Sequence, residues 1–271
     1  MIVAAAGSAA TKALIAGPAR SGTLLAAFAT SAYLRLADGA VIAVLTQDAV
    51  RLPCGLVLAT TSTEMPLHQV NGPVLVGEGL VRVGALTVRL TRLVDVDVPT
   101  GLAPDADRVV EAGSGLGALG FAEHDPALLQ ALRGAMSAPE AAHLVSSLVG
   151  AGSGLTPSGD DVLAGFLVGA HAFGVSAKHL RAAVLAGPPG RTTDLSFALL
   201  AHAARGEAIP QVTGFVRALS SARSDDGRAL RALAAVGHSS GAALATGVHA
   251  AAHWRWATGP CCSRSVSRGW S

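Results

Sequence analysis

Tyr33-Leu34-Arg35-Leu36-Ala37-Asp38-Gly39-Ala40-Val41-Ile42-Ala43-Val44-Leu45 decides how the first part of this chain folds. Two apolar runs flank an Asp-Gly pair, and Asp-Gly supplies the backbone angles that a tight turn between strands requires. The stretch therefore reads as a β-hairpin. Further along, Leu80-Val81-Arg82-Val83 and Leu86-Thr87-Val88-Arg89-Leu90 alternate apolar and polar residues around Gly84. Alternation with period two means one packed face and one wet face. Several such strands at close spacing predict a small antiparallel sheet or barrel over residues 1–110.

The period changes from about Asp125. Segments 126–136, 139–149, 160–173, 177–185, 192–204, 212–221, 228–236 and 240–254 carry helical periodicity. Breakers stand between them at Gly150, Gly187 to Gly190, Gly206, Pro210 and Gly237. A run of strands followed by a run of helices predicts an α+β protein with segregated layers, its N-terminal antiparallel β-rich sheet or barrel followed by a C-terminal helical domain over 120–256. The boundary is expected between Pro99 and Gly120. Residues 257–271 are rich in Ser and Arg without apolar period and read as a disordered tail.

The 271 residues are 51% hydrophobic and 14% charged, which excludes disorder over most of the length. Only 4% are aromatic, so the core is built from small side chains and close backbone approach. A net charge of +2, with scattered arginines and no interleaved aromatics, argues against nucleic acid. The mean hydropathy of +0.48 raises the question of a membrane. The best candidate run, Val162 to Ala177, is shorter than the ~20 residues of a spanning helix and reads as a buried core helix. No secretory signal is recognisable at the start. Cys54, Cys261 and Cys262 match neither a zinc site nor a disulfide framework, and a reducing cytoplasm fits best.

The chemistry concentrates at Gly150-Ala151-Gly152-Ser153-Gly154-Leu155-Thr156-Pro157-Ser158-Gly159-Asp160-Asp161. Alternate glycines free the backbone to present N–H groups, and the helix that follows adds its N-terminus, together a site for an anion. Ser158 is the expected N-cap, with Asp161 closing a capping box. The bland alternative is that Asp160 and Asp161 merely complement the helix dipole. An anion here would be repelled by both carboxylates. A Mg²⁺ held by Asp160 and Asp161, a nearby arginine, or a ligand with one anionic and one N–H-rich end would each resolve the conflict. No Lys is present, so the segment is not a P-loop. Gly115 to Gly120 fits G-x-G-x-x-G but lacks a βαβ unit, and an inter-domain connector is the expected reading.

Two further polar breaks precede apolar helices. Gly190-Arg191-Thr192-Thr193-Asp194 offers a helix cap and a guanidinium fork for carboxylate or phosphate. Gly237-His238-Ser239-Ser240-Gly241 offers an imidazole for acid–base work. Each alone reads as an ordinary helix start. Together they form one site if the three turns meet. His171, His202 and His249 lie within helical stretches and read as structural, and Cys54 as buried and inert.

At these residues the chain resembles the AllH family, named for a subunit of oxamate carbamoyltransferase. The resemblance rests on GSGLTPSGDDVLAGFL, RTTDLSFALLAHAARGE and AVGHSSGAALATGV, in that order from Gly150 to Val248. It implies a cytoplasmic transferase subunit for phosphorolysis of oxalurate to oxamate and carbamoyl phosphate, beside an FdrA-like partner. By motif, Asp160, Asp161, His238 and Arg191 become catalytic candidates. Gly152, Gly154, Thr156, Ser158, Gly159, Thr192 and Ser239 become candidates for holding a small anionic substrate. One departure is that the family pattern leads to an acidic residue near Ala243, where this chain reads Ala242-Ala243-Leu244. The competing readings are a non-catalytic scaffold for the FdrA-like partner and a Mg²⁺- or ATP-dependent ligase or carboxylase.

Overall fold

The computed structural model describes residues 2–119, 132, 137–187 and 190–258. The chain divides into two units, Met1–Asp97 with Asp194–His202, and Val98–Thr193 with Ala203–Ser271.

The first unit is a closed eight-stranded barrel. Its strands are β1 (Ile2–Gly7), β2 (Arg20–Ala27), β3 (Ser31–Leu36), β4 (Val41–Leu45), β5 (Gly55–Leu58), β6 (Val74–Gly77), β7 (Leu80–Val83) and β8 (Leu86–Leu93), and they close in the order β1-β5-β4-β3-β2-β6-β7-β8. The quoted hairpin is β3–β4, paired antiparallel from Ser31 opposite Leu45 to Arg35 opposite Val41. Gly39 takes φ +85°, and the Asp38 carboxylate accepts the Ala40 N–H at 3.1 Å, which closes the turn. The second alternating pair is β7–β8, turned at Gly84 with φ +52°. Two ladders, β1–β8 and β4–β5, run parallel within the otherwise antiparallel barrel.

Leu34, Leu36, Ile42, Val44, Leu56, Val81 and Val88 fill the barrel's main core. The periodicity did not disclose α1 (Ala9–Ala16), whose Ile15 joins that core and whose cap is the Ser8 hydroxyl accepting the Thr11 N–H at 3.1 Å. Strand β4 is buried on both faces. Its outer face, Val41, Ala43 and Leu45, packs with Cys54 and with Leu195, Ala198 and Leu199 of α6 (Asp194–Ala204). This double burial accounts for an uninterrupted apolar run where alternation would otherwise be expected. Burial also pushes the Cys54 thiol up to about 12, so its reactive thiolate is suppressed.

The second unit contains α2 (Ala106–Ala118), α3 (Ala138–Leu148), α4 (Ser158–Phe173), α5 (Lys178–Leu185), α7 (Pro210–Leu219), α8 (Arg228–Ala234) and α9 (Ser240–Thr258). Helix α4 is its axis, buried along nearly its whole length and packed chiefly on α9. Glycines set that approach. A Cβ on Gly165 would stand 2.1 Å from the Leu244 carbonyl oxygen, and one on Gly247 2.1 Å from that of Val162. The expected buried core helix is real but ends at Phe173, where Gly174 turns left-handed, and among the described residues no helix is long and apolar enough to cross a membrane.

One expectation is corrected. Gly115 to Ala118 are not connector but the last turn of α2, begun by the Asp105 carboxylate accepting the Arg108 N–H at 3.2 Å. Glycine served here for proximity rather than flexibility, since a Cβ on Gly115 would stand 2.7 Å from a Leu230 methyl group. His249 fulfils its structural reading, buried with Nε2 2.9 Å from the Val109 carbonyl oxygen. The helix expected over 126–136 falls outside the described residues except for Leu132. The expected tail lies outside them too after Thr258, which with Ala257 ends α9.

Candidate functional site

The site begins where α3 stops. Gly150 follows with φ +79°, and a Cβ there would lie 2.0 Å from the Arg191 carbonyl oxygen. The glycine therefore lets the turn 150–161 press directly on the turn 190–193. Gly159 does the same against α3, where a Cβ would stand 2.1 Å from the Leu148 carbonyl oxygen. Its N–H is donated to Ala151 at 2.9 Å, which draws the loop closed. Gly152 and Gly154 take φ +118° and +93°. A Cβ on Gly152 would stand 2.8 Å from the Ser158 amide nitrogen, so glycine keeps the first helical amide of α4 uncovered.

The expected capping box at Ser158 is not formed. Pro157 occupies the N-cap and Ser158 is the first helical residue. The Pro157 carbonyl accepts the N–H groups of Asp160 and Asp161, at 3.0 and 3.2 Å, which frees the Ser158 hydroxyl to lie 3.4 Å from that of Ser239. A capping arrangement stands instead at the start of α3, where Glu140 accepts the Ser137 N–H and hydroxyl.

Asp160 and Asp161 are both buried, at 1% and 6% exposure, yet they do different things. Asp160 is a tie. One oxygen accepts the Gly150 N–H at 2.9 Å and the other accepts the Thr192 hydroxyl, so the carboxylate holds two turns to the start of α4. Thr193 adds a hydroxyl donated to the Leu155 carbonyl at 2.5 Å. Asp160→Ala should therefore cost about 3 kcal/mol of folding stability, because a buried amide and a hydroxyl lose a charged partner. Urea unfolding of the full chain measures this, and Asp160→Asn, which keeps an acceptor for Gly150, should lose less.

Asp161 differs, for its Oδ2 is buried with no hydrogen-bond partner. Burial pushes its carboxyl up to about 7; the Ser240 hydroxyl pulls the other way and the Asp160 charge adds to the rise. The folded value thus lies above the ordinary value of 3.8 that the unfolded chain keeps. Between those two pH values the folded state binds the extra proton. The stability this carboxyl contributes is complete below pH 3.8 and is lost as pH rises through about 7. The loss runs at up to about 1.4 kcal/mol per pH unit. Subtracting the unfolding free energies of Asp161→Asn from those of the unaltered chain across that range isolates the effect from other carboxylates.

The third turn is joined to the first by hydroxyls. Thr156 Oγ1 lies 2.8 Å from Ser240 Oγ, alongside the Ser158–Ser239 pair. The structure thus brings Thr156, Ser158, Gly159, Asp160, Asp161, Thr192, Ser239 and the Gly150–Gly154 backbone together. His238 sits exposed on the turn that carries Ser239. Arg191 is exposed and its guanidinium donates to the Ser146 hydroxyl and carbonyl at the end of α3, rather than pointing at an open fork. Ala243 is buried in α9, so no carboxylate enters from that position. Sequence reasoning missed Ser240 and Ser146. The doubled serine of Gly237-His238-Ser239-Ser240 was a signal for the former, whereas nothing local marked the latter. Among the described residues no group of three His, Cys, Asp or Glu side chains gathers to hold a metal ion. Asp160 also has both oxygens engaged by protein donors.

Fold and site define a class. This is a helical unit in which three polar turns meet, with neither a phosphate-loop lysine nor a metal-ligand cluster among the described residues. Residues 148–252 match the model of the family described as oxamate carbamoyltransferase subunit AllH. That match bears out the resemblance carried by the three motifs, all of which it contains, and the barrel lies outside it. No curated protein and no solved structure matches the chain.

Proposed function

We propose that this chain is an AllH-like subunit of a cytoplasmic carbamoyltransferase that converts oxalurate and phosphate to oxamate and carbamoyl phosphate. One observation carries the reading. The residues matched to the family include three turns that meet at the start of α4, where Asp160 ties two of them together and the adjacent Asp161 is buried with an unpartnered oxygen. The substrates pair an anionic end with an amide end. The uncovered Ser158 amide and the Gly152–Gly154 turn suit the anion, in keeping with donors fixed where charge develops on oxygen. Asp161 and the serine and threonine hydroxyls suit the carbamoyl NH₂. Arg191, being exposed, reaches an anion by exchanging its Ser146 contact, and His238 stands at the rim. An FdrA-like subunit is the proposed partner. Phosphorus NMR of the chain co-purified with that partner, given oxalurate and phosphate, should show carbamoyl phosphate accumulating. No turnover in the assembled complex would end this reading.

A non-catalytic scaffold has one observation in its favour, namely that Asp160 and Arg191 spend their hydrogen bonds on holding turns together. It predicts a chain that co-purifies with the partner yet releases no heat with phosphate or oxalurate in calorimetry.

A further inference from the structure

We infer that the second unit carries a separate binding cleft between α2, the end of α7 and the start of α8, and that this cleft takes a small zwitterion with an apolar body, the chemistry of an apolar α-amino acid. None of its walls belongs to the three-turn site, so the inference stands apart from the proposed reaction.

The cleft encloses about 340 Å³, within the range of small-molecule sites. Its floor is apolar. Ala112, Gly115 and Ala118 line it from α2, while Leu219 and Leu230 close it from α7 and α8. The small side chains on α2 leave the room that the cavity occupies. Gly115 also sets how closely α8 approaches, since a Cβ there would stand 2.7 Å from a Leu230 methyl group. An apolar hollow wetted by solvent favours an occupant that covers it.

Charged side chains stand around that floor, and their pairing is uneven. Arg108 is committed to Glu111 and also lies 3.9 Å from the Asp105 carboxylate. Arg231 is exposed and makes no hydrogen bond or ion pair with any described residue. Asp225 uses one oxygen to accept the Ala229 N–H at 2.8 Å, and Asp226 uses one to accept the Ser224 hydroxyl at 3.3 Å. Neither aspartate pairs with Arg231, although all three line the same cleft. The backbone holds Asp226 in place, with φ +54° ahead of Gly227 at +68° and its N–H donated to the Ser224 hydroxyl at 3.1 Å. A guanidinium and two carboxylates that share a cleft without meeting present separated charges of opposite sign. A simple anion would answer Arg231 but face both carboxylates, and a simple cation would meet the reverse. A ligand with a carboxylate for Arg231, an ammonium for Asp225 and Asp226, and an apolar side chain for the floor satisfies all three.

Fluorine NMR of para-fluoro-L-phenylalanine titrated against the full chain tests the site. The signal should shift saturably, with binding complete by about 10 mM. Ala118→Trp, which fills the cavity from an exposed position on α2, should abolish the shift. Arg231→Gln and Asp226→Asn should each weaken binding roughly tenfold, and asparagine tolerates the left-handed turn that Asp226 occupies. The Arg231→Gln loss should disappear for para-fluoro-L-phenylalaninamide, which has no carboxylate. The Asp226→Asn loss should disappear for the N-acetyl derivative, which has no ammonium. Arg217→Gln, at an exposed arginine of α7 outside the cleft, should change nothing. Absence of a saturable shift overturns the site, as does undiminished binding to the Ala118→Trp variant. Losses that are the same for all three ligands overturn the zwitterion. If Ala118→Trp fails to fold, the two charge variants, both at exposed positions, decide alone.

Discussion

Asp161→Asn is expected to lower phosphorolysis of oxalurate by about 10²- to 10⁴-fold in the assembled complex while the chain stays folded, the range typical of losing a positioned acid–base group. Asparagine has the same shape, but it cannot exchange a proton. It also removes a carboxyl that is buried at 6% exposure and must be charged above about pH 7. The variant should therefore resist urea better than the unaltered chain at pH 8 and about equally at pH 4. Activity lost while stability at high pH is gained separates a chemical role from a structural one. Steady-state kinetics of the complex and urea unfolding of the chain at the two pH values read both. Turnover within twofold of the unaltered complex would remove Asp161 from the chemistry.

Gly247→Ala is the other large effect expected, a loss of about 3 kcal/mol in folding stability from one methyl group. The new carbon would stand 2.1 Å from the Val162 carbonyl oxygen and 2.6 Å from the Phe166 amide nitrogen, both backbone atoms of the buried α4. No rotamer change relieves such a contact, so α9 has to move away from α4, and it carries Ser240 with it. Thr156 would lose its Ser240 partner, so the substitution should also weaken turnover although it lies far along α9 from the turn. Gly214→Ala is the matched control. Gly214 lies in α7, where an added Cβ meets nothing within 4 Å. Replacing a helical glycine in open space should stabilise by about 0.5–1 kcal/mol. Urea unfolding of the two variants should thus move in opposite directions. Equal behaviour would mean that the α4–α9 approach is looser than described.

Much of the site was legible because it was built from local signals. Glycine, proline and hydroxyl residues at a helix start announce themselves within a few positions, and the three breaks at Gly150–Asp161, Gly190–Thr193 and Gly237–Ser240 were all readable that way. Their meeting was stated as a condition, and the Asp160–Thr192 and Thr156–Ser240 contacts meet it. Local reading failed where one motif had two structural outcomes. Glycines at 115 and 117 looked like a connector and serve a packed helix. A serine at 158 looked like a cap, and Pro157 took that place.

By itself the sequence determined that a β-rich part precedes a helical one, the hairpins at Asp38-Gly39 and Gly84, and the positions where the backbone had to turn around the later helices. These depend on periodicity and on single-residue conformational preference, which act over a few residues. Tertiary structure alone decided that the strands close with two parallel ladders and that Asp194–His202 groups with the barrel. It also decided that Arg191 binds Ser146, and that of two adjacent aspartates one is a tie and the other is left with a bare oxygen. Neighbouring carboxylates are chemically identical in a sequence. Which donors reach each of them is set by residues that arrive from distant parts of the chain, and no local pattern encodes that arrival.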